Sequence, residues 1–408
     1  MTSKFSVIMS SLRKSKGGII DINNKVNTSI HSASLPHIST NCILIDHLIG
    51  GTPTASGELL CPGFPKGRIV EVYGGEGSGK TSLCLQAAAM CQKNGGSVLY
   101  LDYENAISLP YATALGLDIN DEDSFVIWQP QHFEEGAELI KKCVEGGIDL
   151  IIVDSVSAMV PQKLLESASD LGQIGILARS MSAFLPKVVK ECHKMGTTIV
   201  FINQVRNRIK ASKYDAGPDE DTSGGKALKY YASLRLKLAA RTKLKRQIVN
   251  HLTGAKEEQD YATVVRVTGI KNKLAPLQGN KVDVTVRFGM GFDNFQSIID
   301  IAMARNIIKK AGAWMRFEGA DGEPVSLQGA DKLYTYLKEH PADYQAILGK
   351  ITEFFEAIDS MAAIRDASDG SEDKDMSVTY VEEKISDDDD LFDDDDLEVD
   401  EEGFIDFS

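Results

Sequence analysis

Hydrophobic positions along the chain fall into two regimes. Five apolar runs, Arg68–Tyr73, Ser97–Asp102, Phe125–Trp128, Leu150–Asp154 and Thr198–Asn203, alternate with helical stretches at Thr81–Lys93, Leu109–Leu115, Phe133–Glu145 and Leu171–Met195. Strands apolar throughout are buried on both faces. Interleaved with helices, they predict an α/β fold with a mostly parallel central sheet flanked by helices. Further on, Ser233–Leu238, Ala262–Thr268 and Lys281–Phe288 alternate apolar and polar residues, which predicts antiparallel strands extending the same sheet. Helical patches at Ile298–Ala304 and Lys332–Glu339 lie in a smaller unit from about Phe295 to Phe355. Gly50–Pro65, with four Gly and three Pro, predicts a loop.

The expected organisation has four parts. Residues 1–37 form an N-terminal segment with an oligomerisation helix around Phe5–Arg13. Residues 38–290 form the core, 291–360 a small C-terminal domain, and 361–408 an acidic tail. The tail offers too little apolar surface to offset ordering entropy and is expected to be disordered.

Composition narrows the class. The chain has 408 residues, 43% of them hydrophobic, which excludes wholesale disorder. No apolar run reaches the roughly 18–20 residues of a membrane span, and the N-terminus lacks a secretory core. Six cysteines form no metal-ligand spacing and are expected to be reduced and buried in a cytoplasmic protein. The net charge of −15 is uneven: residues 369–408 hold 19 Asp/Glu against 2 Lys, leaving the other 368 residues near neutral. Within that body Arg235, Lys237, Arg241, Lys243, Lys245 and Arg246 follow one another without an intervening acid. Such a run serves equally as a nucleic-acid contact or as a solvated strand and turn.

The chemistry concentrates where the first apolar run ends. Gly74-Gly75-Glu76-Gly77-Ser78-Gly79-Lys80-Thr81 is a phosphate loop placed between a strand and a helix, the context it requires. Glycines let backbone N–H groups turn inward to cradle phosphates, and the helix N-terminus adds its dipole. Lys80 would reach the β- and γ-phosphates of a bound nucleotide. The Thr81 hydroxyl would ligate Mg2+, and Ser82 lies beside it. Asp154 ends a buried strand at the sheet edge where α/β proteins bind ligands, and is a second candidate on Mg2+. At the next strand end stand Asp102 and Glu104. Either could polarise a water, and either could cap a helix. Asn203-Gln204 ends another strand. An amide there could sense the γ-phosphate or simply complete strand-end hydrogen bonds.

Several segments together resemble RecA-type recombinases, cellular or bacteriophage. They are Gly67–Thr81 (GRIVEVYGGEGSGKT), Asp154-Ser155-Val156, Phe201–Arg206 (FINQVR), Gly224–Ser233 (GGKALKYYAS), Lys271-Asn272-Lys273 and Lys310–Trp314 (KAGAW), in the family's order. The resemblance covers roughly residues 38–355. It implies a RecA-like P-loop NTPase core, a small α+β C-terminal domain, and a DNA-stimulated ATPase. Such a protein coats single-stranded DNA as a homo-oligomeric helical filament and pairs it with homologous double-stranded DNA. A ring-forming helicase would share the phosphate loop, but Lys271-Asn272-Lys273 and Lys310–Trp314 argue against it.

Residue by residue, the resemblance implies that Glu104 activates water and Tyr111 stacks on adenine. Gln204 couples the γ-phosphate to the following loop, and Lys271 and Lys273 reach the neighbouring protomer's ATP. DNA contacts are implied in two loops. The first spans about Leu164–Arg179 and includes Arg179. The second spans Val205–Lys226 and includes Arg206, Arg208, Lys210, Lys213, Gly224 and Gly225. Tyr214 in that loop could wedge between bases or face solvent. The second loop is about three residues longer than the family pattern and carries Asp219, Glu220 and Asp221. Ser108 replaces an acid usual near the adenine. The tail, with Phe392, Phe404 and Phe407, could mimic DNA, dock single-strand-binding or mediator proteins, or serve solubility.

Overall fold

The computed structural model describes residues 35–50, 61–165, 175–207, 220–249, 254–274 and 279–351. The expectations for helix Phe5–Arg13, the Gly50–Pro65 loop tip, Tyr214 and the acidic tail lie outside these residues. All described residues belong to one compact unit.

In chain order the elements are β1 (His37–Ile38), α1 (Ile43–Gly50), β2 (Phe64–Pro65), β3 (Ile69–Gly74), α2 (Lys80–Lys93), β4 (Val98–Asp102), α3 (Leu109–Ala114), β5 (Phe125–Trp128), α4 (Phe133–Glu145) and β6 (Leu150–Asp154). There follow α5 (Ile176–Met195), β7 (Thr198–Asn207), β8 (Glu220–Thr222), α6 (Gly225–Tyr231), β9 (Leu234–Val249), β10 (Lys256–Asn272), β11 (Lys281–Arg287) and β12 (Gly291–Phe292). The small domain holds α7 (Asn294–Ala304), β13 (Lys309–Ala311), β14 (Trp314–Glu318), β15 (Pro324–Gln328), α8 (Ala330–Glu339) and α9 (341–351).

The main sheet has the order β12-β11-β10-β9-β3-β7-β6-β4-β5, with β8 paired to β7. Strands β3, β4, β5, β6 and β7 are parallel, as their unbroken apolar character predicts. Successive residues of one strand serve opposite faces. Val70, Val98, Ile152 and Val200 pack under α1, α2 and α3. Their neighbours Ile69, Leu99, Ile151 and Ile199 pack under α4, α5 and α6. Helix α2 buries Leu83, Cys84, Leu85 and Ala87 to Ala89. Each fully buried leucine contributes about 1.5–3 kcal/mol, which anchors the phosphate loop ahead of it.

One expectation needs correction. The alternating strand at Ser233–Leu238 is not purely antiparallel: β9 runs parallel to β3 over Leu234–Leu238 and antiparallel to β10. It fills a central position, so its apolar face is covered while its other residues reach partial exposure. Beyond the sheet, Lys245–Val249 and Lys256–Asp260 pair only with each other as a projecting arm. The small domain is α+β, as the resemblance implies. Its three-stranded sheet β13-β14-β15 leaves little trace in the apolar pattern because the strands are short and mostly exposed, with Met315 and Phe317 alone buried on β14. These two side chains join Ile298, Ile308, Leu333, Leu337, Ile347 and Ile351 in a separate core.

Candidate active site and nucleic-acid interface

At Gly74, the last residue of β3, no side chain fits. A Cβ there would lie 2.0 Å from the Leu238 carbonyl oxygen. Gly77 and Gly79 have φ of +67° and +83°, the left-handed region where glycine is favoured. Between them the Ser78 hydroxyl donates to Gly75 O at 2.8 Å, closing the loop. Lys80 Nζ also donates to Gly75 O, at 2.6 Å. Burial lowers the Lys80 pKa, against the attraction of Asp154 and Glu104.

Opposite the loop, the Thr81 hydroxyl donates to Asp154 Oδ2 at 2.8 Å. Tyr100 donates to the same oxygen at 2.6 Å. Burial raises the Asp154 pKa, partly offset by these two donors. Burial and the adjacent carboxylate raise the Tyr100 pKa and keep the phenol a donor. Tyr100 was missed in the sequence because its apolar run reads only as core. The donor set fits Mg2+: a hydroxyl and one carboxylate are hard oxygen ligands, and a nucleotide-bound Mg2+ takes few protein ligands beside phosphate. Among the described residues no cluster of three or more His, Cys, Asp or Glu could hold a metal alone.

The two carboxylates after β4 occupy different settings. Asp102 is buried and accepts from the Ala106 and Ile107 N–H groups at 3.2 and 3.3 Å, capping the turn. Glu104 is exposed. Its Oε1 accepts from the Ser155 hydroxyl and from Gln204 Nε2 at 3.2 Å. The two residues of Asn203-Gln204 also separate. Asn203 is fully buried and donates to Glu71 Oε1 at 3.0 Å and to Ser223 O at 2.8 Å.

A cleft of about 400 Å3 is lined by Gly77, Ser78, Gly79, Lys80, Thr81, Ser82 and Tyr111, and across from them by Thr263, Val286, Arg287, Phe288 and Gly289. The Tyr111 hydroxyl donates to Ser82 at 2.7 Å. The second wall was not foreseen, because it comes from β10, β11 and the turn after β11, far along the chain and without a motif. Ser108 caps α3, accepting from the Tyr111 N–H.

Lys271 and Lys273 stand at the end of β10 and do not line this cleft. Lys271 Nζ donates to the carbonyls of Lys229 and Tyr230 at 2.6 and 2.9 Å. Partial burial, with Lys273 and Arg235 nearby, lowers its pKa to about 8. Lys273 donates to the Tyr230 carbonyl at 3.4 Å, beside an exposed Tyr230 ring.

The expected second DNA loop is in part regular. Val205, Arg206 and Asn207 pair with Thr222, Asp221 and Glu220 as a hairpin stem. Its tip, with Arg208, Lys210 and Lys213, and the Arg206 side chain lie outside the described residues. Gly224 and Gly225 have φ of +86° and +71° and start α6. A Cβ on Gly225 would lie 2.7 Å from Ala178 Cβ. The end of this hairpin therefore meets the first turn of α5, where Arg179 is exposed. The cationic run on β9 is not acid-free in space. Lys243 pairs with Asp260 and Lys245 with Glu258, both from β10, and Arg235 pairs with buried Glu71.

The architecture and this cleft define a P-loop NTPase with a RecA-like core. The family model described as RecA N-terminal domain matches residues 13–293, and that described as RecA C-terminal domain matches residues 296–356. Protein RecA, chromosomal, of Lactococcus lactis subsp. lactis (strain IL1403) is 35% identical over 324 residues, 79% of this chain and 79% of that one. Protein RecA of Lactobacillus johnsonii is 34% identical over 85% of this chain and 86% of that one. Protein RecA of Borrelia hermsii is 36% identical over 82% and 86%. The chain belongs to the RecA family of recombinases, which serve recombination and DNA repair. Among the described residues no helix is long and apolar enough to cross a membrane.

Proposed function

We propose that this chain is an ATP-dependent recombinase of the cytoplasm that forms a helical filament on single-stranded DNA, pairs it with homologous duplex, and hydrolyses ATP when DNA is bound. One observation carries the reading. Gln204 touches Glu104 beside the phosphate loop, while the adjacent Asn203 holds Ser223 at the foot of the hairpin that carries Arg206, Arg208 and Lys210. A change at either end is thus passed to the other through one strand end.

In this reading the N–H groups of Gly75 to Thr81 cradle the phosphates, and Lys80 leaves Gly75 O for the γ-phosphate. Thr81 and Asp154 would hold Mg2+, which would supply neutralisation of phosphate charge. Glu104 takes a proton from water as its oxygen bonds to the γ-phosphorus and the bridging P–O bond breaks. Tyr111 and Phe288 enclose the base, with Ser82 supporting Tyr111. Lys271 and Lys273 act on the neighbouring protomer's nucleotide. A head-to-tail interface that does not close gives an open helix, and nucleotide between protomers makes assembly depend on ATP. Arg179, Arg206, Arg208, Lys210 and the Gly224-Gly225 backbone contact DNA phosphates. Residues 38–290 form the catalytic and DNA-binding core, 291–360 a small domain, and 361–408 a tail that damps duplex binding or docks single-strand-binding or mediator proteins.

The test is electron microscopy, ATP turnover and strand exchange with ATP, Mg2+ and single-stranded DNA. Filaments, DNA-stimulated turnover and exchanged strands are expected. Closed rings, or turnover indifferent to DNA, contradict the reading.

A further inference from the structure

Glu104 lies on an exposed loop, yet a water-activating carboxylate must hold one oxygen steady. Loop side chains rarely do this unaided, since a displacement of about 1 Å at a reacting group can cost about a hundred-fold in rate. Two donors converge on Oε1, the Ser155 hydroxyl and the Gln204 amide. Oε2 accepts no hydrogen bond from the described residues. A carboxylate oxygen has two lone pairs, so Oε1 is saturated and Oε2 alone is left to meet water.

The supporting chain extends one residue further. Ser157 Oγ lies 2.6 Å from Ser155 Oγ. A hydroxyl has one proton, and Ser155 gives its own to Glu104. Ser157 must therefore be the donor to Ser155. The order Ser157 to Ser155 to Glu104 is fixed by proton count. Linked hydroxyls of this kind polarise one another and strengthen the last bond. Ser155 is buried directly after the metal-side Asp154, and Ser157 sits half-buried in the single turn Val156–Ala158, so both are placed by the rigid end of β6.

We infer that Ser155 and Ser157 are positioning residues for ATP hydrolysis, a two-hydroxyl relay that holds Glu104 with Oε2 toward the attacking water. This rests on Glu104 being the base. Neither serine lines the nucleotide cleft, so loss of the relay acts on turnover and not on nucleotide affinity.

The experiment measures kcat, KM and ATP affinity of the full chain on single-stranded DNA for Ser157→Ala, Ser157→Thr, Ser155→Ala and Glu104→Gln. Ser157→Ala is expected to lower kcat about three- to ten-fold, and Ser155→Ala about ten- to a hundred-fold, with KM and affinity unchanged. Ser157→Thr, which keeps the hydroxyl, is expected to restore kcat. Should Ser155→Ala unfold, the half-buried Ser157 pair decides alone. Parent kcat in Ser157→Ala while Glu104→Gln is inactive overturns the relay and leaves Glu104 as base. Parent kcat in Glu104→Gln overturns the base and the relay together. A fall in affinity equal to the fall in kcat/KM also overturns the relay, because it places the serines in binding.

Discussion

Lys80 Nζ donates to the carbonyl oxygen of Gly75 at 2.6 Å, so the cation of the phosphate loop rests on its own backbone. In the proposed function that contact gives way to the γ-phosphate. Burial lowers the Lys80 pKa, which means the charged side chain opposes folding at neutral pH. Lys80→Ala should therefore leave the melting temperature unchanged or slightly raised without nucleotide. With ATP and Mg2+, the variant should lose about a hundred-fold or more in affinity, since an aimed charge at a phosphate is worth a few kcal/mol. Thermal shift with and without nucleotide separates the two. A lower melting temperature in the absence of ATP would assign Lys80 a structural part instead.

Tyr103 supplies a second prediction. Its hydroxyl is buried and has no hydrogen-bond partner among the described residues. Tyr103→Phe removes that unsatisfied group and should stabilise the protein by about 1 kcal/mol. Gly136 explains why the site is tight, because a Cβ there would lie 1.8 Å from the Tyr103 hydroxyl oxygen. Gly136→Ala should cost about 1–3 kcal/mol, and the cost should shrink in the Tyr103→Phe background. Denaturant melts of the four proteins measure the coupling. Simple additivity of the two changes contradicts the contact.

Lys271 predicts a pH dependence. Its pKa of about 8 is below the ordinary lysine value of 10.5. The folded chain then binds fewer protons than the unfolded chain between those values, and stability attributable to Lys271 rises with pH across that window. Its function runs the other way. A lysine acting on a neighbour's phosphate needs its charge, so DNA-stimulated turnover should decline above pH 8, later if the phosphate holds the proton on. Lys271→Arg keeps its charge throughout. The variant's activity relative to the parent should climb from pH 7 to pH 9.5. A flat ratio across that range removes Lys271 from the reaction.

What the sequence disclosed and what it withheld follow from how local each constraint is. Gly74 to Thr81 and Asp154 were legible because one loop and one strand end contain all the required chemistry. The residues alone left Asp102 and Glu104 open and only the resemblance favoured Glu104, because which carboxylate the Ala106 and Ile107 N–H groups claim is set by the fold. Val286 to Gly289 were invisible as a cleft wall because they arrive through β11 after most of the core has been laid down. The run from Arg235 to Arg246 looked uniformly basic only until β10 brought Glu258 and Asp260 across from it. Pairings between strands depend on register, which composition within one strand does not reveal.

Glu71 joins stability to function. It is fully buried, and its carboxylate meets Arg235 Nε at 2.5 Å and Asn203 Nδ2 at 3.0 Å. Glu71→Ala strands a largely buried guanidinium, which should cost about 3–5 kcal/mol. Replacing both Glu71 and Arg235 with leucine removes the stranded charge, so the double variant should recover much of that loss. Function should not recover with it. Asn203 loses one of its two acceptors in either protein and holds Ser223 less firmly. DNA stimulation of turnover should then fall while DNA-independent turnover stays near the parent rate. Stability is read from denaturant melts and stimulation from ATP turnover with and without single-stranded DNA. If the leucine pair restores stimulation along with stability, Asn203 transmits nothing and Glu71 is only a fastening between β3 and β9.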